Sequence, residues 1–129
     1  MKKRQISLVL SLACLVFFGG GCLLVAVGAG AAGTVAYVRG DLESVLDADM
    51  NKAYTASLTS LKQLELVPTL KQKDALGAKI IARTTEDKKV TITLTRVDEK
   101  LTKLSIRIGI FGDEMQSRVI YDRIRGNLK

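Results

Sequence analysis

The stretch from Leu76 to Ile110, LGAKIIARTTEDKKVTITLTRVDEKLTKLSIRIGI, decides the fold. Within it Leu76, Ala78, Ile80 and Ala82 alternate with Gly77, Lys79, Ile81 and Arg83, and Val90, Ile92 and Leu94 alternate with Thr91, Thr93 and Thr95. Leu104, Ile106, Ile108 and Ile110 then alternate with Ser105, Arg107 and Gly109. A period of two sends successive side chains to opposite faces of an extended chain, so each segment predicts a strand with one apolar and one polar face. Glu86 with Asp87, and Asp98 with Glu99, fall between the strands as turns.

Upstream, Val38, Leu42, Ser44 and Leu46 face one way and Arg39, Asp41 and Glu43 the other, which predicts one more strand, with Gly40 as a bulge. Asp47 and Asp49 stand where a cap and a first-turn acid belong. Met50, Ala53, Tyr54, Ser57, Leu58, Leu61 and Leu64 then recur at helical spacing, predicting an amphipathic helix that ends before Pro68. Tyr54 at this spacing reads as a core residue. Downstream, Asp113 and Glu114 open a second helix with an apolar stripe of Met115, Val119, Ile120, Ile124 and Leu128. The predicted order is β-α-β-β-β-α, an α+β domain whose antiparallel sheet carries both helices on one side. Threonines and charges on the other sheet face meet water first, or else a partner, and lysines such as Lys88 and Lys89 guard against edge-to-edge pairing.

The N-terminal part is of another kind. Lys2, Lys3 and Arg4 precede a run from Gln5 to Val38 without a single charge. Ile6 to Phe18 has the length of an export signal's apolar region, and Gly19, Gly20 and Gly21 lead into Cys22. Small residues before a cysteine suit a lipoprotein signal peptidase, whose substrate enters extended and without bulk beside the scissile bond. Cleavage is expected between Gly21 and Cys22, leaving Cys22 as an acylated N-terminus. Gly19 stands where the usual lipobox has an apolar residue. Cys14, after Ser11, Leu12 and Ala13, is the rival attachment point, with a shorter apolar region before it. As one helix Ile6 to Val38 would reach roughly 50 Å, too long for about 30 Å of hydrocarbon, whereas a span from Ile6 to about Val25 fits. A retained transmembrane helix is therefore the alternative anchor, and the two anchors give the same topology. The expected organisation is a signal peptide over 1–21, a Gly/Ala-rich apolar tether over 22–36 and the α+β domain over 37–129. Gly28 and Ala32, four apart, have the spacing of small residues in helix pairs.

Of 129 residues 47% are hydrophobic, and the formal net charge is +7. Loss of Lys2, Lys3 and Arg4 with the leader takes three of 20 basic groups, leaving 17 against 13 acidic ones, or +4. That balance is a solvated surface with at most weak attraction to polyanions. The two cysteines, Cys14 and Cys22, both lie in the apolar run, so the domain has no disulfide and depends on its core.

There is no His, no Trp, and no Cys in the domain. The usual routes to an activated nucleophile or a transition-metal site are missing, so no enzyme activity, cofactor or metal is expected. The acidic pairs Asp98 with Glu99 and Asp113 with Glu114 read as turn and capping residues, since a catalytic pair must converge in a cleft. Lys71, Lys73 and Lys79 are candidates for a phosphate or glycan contact. No aromatic residues interleave with them, so no nucleic-acid platform is expected.

From Gly21 and Cys22 onward the segments GAGAAGTVAYVRGDL, KDALGAKIIARTTEDKKVTITL and IRIGIFGDEMQSRVIYDRI, with the helix after Asp47, resemble a family of small bacterial lipoproteins classed as a domain of unknown function (three-five-six-eight). The resemblance implies a lipidated envelope protein and brings no activity, ligand or catalytic residue. Phe111, Gly112, Asp113 and Glu114 look like a strand-to-helix corner in which Gly112 permits the turn and Asp113 caps. The expected role is a membrane-anchored structural or adaptor component outside the cytoplasm, with an envelope protein or glycan as partner. Leu23, rather than Asp, follows Cys22, which favours the outer membrane in a host that has two. A single-span membrane protein and a polyanion-binding envelope module are the alternatives.

Overall fold

The computed structural model describes residues 34–129. Six strands and two helices follow in the order β1 (Val35–Val38), β2 (Asp41–Leu46), α1 (Met50–Gln63), β3 (Val67–Lys73), β4 (Gly77–Arg83), β5 (Lys89–Arg96), β6 (Thr102–Ile108) and α2 (Glu114–Asn127). All the strands form one antiparallel sheet in the order β1-β2-β6-β5-β4-β3. Both helices pack on one face of it.

The alternation in β4, β5 and β6 dictates that face. Ala78, Ile80 and Ala82, then Val90, Ile92 and Leu94, then Leu104, Ile106 and Ile108 are all buried. Register aligns them across the sheet, with Ile80 opposite Ile92 and Ile92 opposite Ile106. Leu42 and Leu46 extend the layer, and Met50, Ala53 and Leu61 of α1 cover it. Each fully buried Leu or Ile is worth about 1.5–3 kcal/mol relative to exposure, which suits a domain without disulfides.

Helix α1 starts where Asp49 accepts a hydrogen bond from the Lys52 N–H at 2.9 Å. It ends at Leu64, after which Glu65 takes a positive φ and the chain turns towards β3 before Pro68. Tyr54, Leu58 and Leu64 are half-buried against the core.

Four expectations need correction. The segment around Gly40 is a hairpin and not one bulged strand: Arg39 and Gly40 both have positive φ, 54° and 91°, as a tight two-residue turn requires. Val38 therefore pairs with Asp41 and stands on the face opposite Leu42. The hairpin also takes Val35 and Ala36 into β1.

Second, β3 fills the stretch after α1, where no strand was expected. It is an outer strand, exposed along nearly its whole length and interrupted by a bulge between Pro68 and Leu70. Its pairing is set by the backbone of β4, so VPTLKQK carries no apolar alternation. Lys71, Lys73 and the bulge protect this edge.

Third, the apolar faces of two strands stop short. Leu76 lies in the turn before β4 and Ile110 lies beyond β6, both strongly exposed. Fourth, α2 is rotated from the expected stripe. Ser117, Ile120, Tyr121 and Ile124 are buried, while Met115 and Val119 face solvent. The buried set follows i, i+3, i+4, i+7, and it seats the Tyr121 ring over β2, where the Ser44 and Tyr121 hydroxyls are 3.2 Å apart.

Candidate functional site

Gly21, Cys22 and Cys14 lie outside the described residues. The basic residues proposed for a polyanion do not share one face of the sheet. Lys71 and Lys73 pair with Ile80 and Ala78 and so share the helix-covered side, whereas Lys79 pairs with Gln72 and Thr93 on the open side. Lys73 is further engaged, hydrogen-bonded to Asn51 and held 5.1 Å from the centre of the Tyr54 ring.

The acidic candidates take structural positions. Asp98 accepts from the Lys100 N–H in the β5–β6 turn, and Asp113 accepts from the Gln116 N–H at the start of α2. Asp74, in the β3–β4 turn, accepts from the N–H groups of Leu76 and Gly77, both at 2.8 Å. Those two bonds hold its carboxyl below the usual carboxylate range. Among the described residues no group of His, Cys, Asp or Glu is arranged to hold a metal ion.

The depressions of the domain are shallow. One of about 340 Å³ lies between β2 and the end of α2, lined by Val45, Asp47, Tyr121 and Arg125 among others. Another of about 330 Å³ surrounds the β3–β4 turn, with Lys73, Lys79 and Thr93 in its lining. Asp47 and Arg125 stand in the lining of the first, and Asp74 with Lys73 and Lys79 in that of the second. The open sheet face offers Thr91, Thr93, Ser105 and Lys103, crossed by the ion pairs of Lys103 with Glu43 at 3.2 Å and Arg107 with Asp41 at 3.0 Å.

The most unusual feature is a corner where the β1–β2 turn meets the segment from Gly109 to Asp113. Arg107 builds it. Its guanidinium donates to the Asp41 carboxylate at 3.0 Å, to the Arg39 carbonyl at 3.2 Å and to the Ile110 carbonyl at 2.7 Å. Gly112, with φ +84°, lies against Gly40 and the Tyr37 hydroxyl, leaving no room for a side chain. Phe111-Gly112-Asp113-Glu114 is thus a strand-to-helix corner with the expected turn glycine and cap. The fold turns its apolar residues outward: Phe111 is 90% exposed, Ile110 82% and Met115 80%. Sequence patterning placed Ile110 and Met115 in the core. The signal against that reading is Gly109 and Gly112, which break the period on either side of Ile110 and Phe111.

A family model described as "Protein of unknown function (DUF3568)" matches residues 5–127. The chain belongs to this family. The match includes the uncharged run from Gln5 as well as the whole DUF3568 sheet and all of α2. No curated protein matches the chain significantly. Among the described residues no helix is long and apolar enough to cross a membrane.

Proposed function

We propose that this DUF3568 protein is exported and fastened to a membrane by acyl chains on Cys22, where its domain serves as a non-enzymatic structural or adaptor component of the cell envelope. The observation that carries the reading is the order Lys2-Lys3-Arg4, uncharged Ile6 to Phe18, three glycines and Cys22. The domain supports it in two ways. Among the described residues its core is built from residues between Leu42 and Ile124, all of which a chain cut before Cys22 keeps. Its candidate acids cap turns and helices and do not face one another in a cleft, which favours a binding or scaffolding role over catalysis.

Lipid would dominate the attachment, because each buried methylene contributes about 0.8 kcal/mol and a lipoprotein carries several dozen. Metabolic labelling with a palmitate analogue, in the natural chain and in Cys22→Ala, tests the proposal. Label in the first and none in the second is the expected result. Equal labelling of both removes Cys22 as the attachment point.

A further inference from the structure

Ile110, Phe111 and Met115 project from the corner of β6 and α2, and Val119 is exposed one turn further along the same side of α2. We infer that this corner is a second membrane contact: Ile110, Phe111 and Met115 enter the interfacial region of the bilayer that holds the N-terminal anchor, so that the domain lies on the membrane. The inference rests on the anchored reading above.

The fold holds these side chains out. Arg107 ties the Arg39 and Ile110 carbonyls together, Gly112 is packed against Gly40, and Asp113 caps α2, so the corner has little freedom to fold its apolar tips inward. A backbone already held in the conformation that presents these residues loses little conformational entropy on binding. The surface projects, and three tips on one corner do not make the broad matched area that a stable protein dimer needs. Aromatic and aliphatic residues presented this way suit the boundary between headgroups and acyl chains.

Sequence continuity names the occupant. The uncharged run from Gln5 does not stop at the edge of the domain but continues through the exposed Ala36, Tyr37 and Val38 to the hairpin turn that touches Phe111. In sequence, one uncharged run thus joins Cys22 to the strand that leads into the β1–β2 turn. Between Cys22 and Thr34 the chain can extend no further than about 40 Å, so the corner stays within reach of the bilayer. A weak contact becomes well populated when a tether keeps its local concentration high. Asp41 is paired with Arg107 and Asp113 caps α2, while Arg39, Glu114 and Arg118 are exposed and can stay in the headgroup layer.

The chain has no tryptophan, so one introduced residue reports without background. Full-length Phe111→Trp and Val67→Trp, the latter on β3 at the opposite sheet edge, would be reconstituted into phosphatidylcholine vesicles with and without brominated acyl chains. Both variants should float with the vesicles. Phe111→Trp should emit to the blue of Val67→Trp and lose at least about half of its intensity to brominated lipid, while Val67→Trp should stay water-like and unquenched. Floating protein with equal, water-like emission from both contradicts the contact and leaves the anchor intact. Blue-shifted emission from Phe111→Trp that brominated lipid does not quench also overturns it, since protein then covers the corner. Failure of both to float removes the anchor, and the contact with it.

Discussion

Gly112 packs against the backbone of Gly40: a Cβ on Gly112 would fall 2.6 Å from the Gly40 Cα, and one on Gly40 would fall 2.5 Å from the Phe111 carbonyl oxygen. The β1–β2 turn and the β6–α2 corner are thus locked at a point where neither chain tolerates a side chain. Gly112→Ala combines left-handed backbone strain with overpacking and should destabilise the domain by about 2–4 kcal/mol. Gly109→Ala, at φ +71° with open space around it, meets the backbone term alone and should lose about 1–2 kcal/mol. Urea unfolding midpoints of the two variants compare them, and equal losses would show that the close approach contributes nothing.

The two buried hydroxyls Thr102 and Ser117 should behave oppositely. Thr102 donates to the Ala48 carbonyl at 2.9 Å, so Thr102→Val removes a buried hydrogen bond and should destabilise by about 1–3 kcal/mol. The Ser117 hydroxyl is buried without a partner, and Ser117→Ala should be neutral or stabilising by about 1 kcal/mol. Thermal unfolding reads both signs directly.

The rotation of α2 has its own test. Ile120→Ala should lose about 2–5 kcal/mol, because it empties a core position. Met115→Ser and Val119→Ser should stay within about 0.5 kcal/mol of the natural chain, since both side chains face solvent. Large losses at Met115 and Val119 would restore the stripe read from the sequence.

Asp74 gives the β3–β4 turn a pH dependence. The Leu76 and Gly77 N–H groups hold its carboxyl below the ordinary carboxylate pKa, so its contribution is present above that ordinary value and is lost as pH falls through the lower, folded one. Asp74→Ala should therefore be less stable than the natural chain at about pH 6, and the gap should narrow towards about pH 2.5. A gap that stays constant with pH would mean that the carboxylate charge plays no part.

The sheet was legible where burial and period coincide. Val90 to Leu94 and Leu104 to Ile108 bury every second residue, and physics leaves such segments one arrangement. Strand β3 was not legible, because an exposed edge strand is selected by its neighbour's hydrogen bonds and VPTLKQK needs no apolar face. The Arg39-Gly40 turn was misread as a bulge, since a lone glycine in an alternating stretch marks either. Helix α2 offered apolar residues on two faces, Ile120 and Ile124 on one and Met115 and Val119 on the other, and only packing over β2 decides between them. The corner escaped for a related reason: an exposed Phe111 looks the same in sequence as a buried one. The proposed anchor rests on sequence alone, on Gly19 to Cys22.

Everything proposed for this chain's place in the cell depends on what becomes of its first residues. Mass spectrometry of the N-terminal peptide, taken from full-length protein extracted from membranes, tests it most directly. A peptide that begins at Cys22 and carries the mass of acyl chains is the predicted result, and one that still contains Lys2, Lys3 and Arg4 would contradict it.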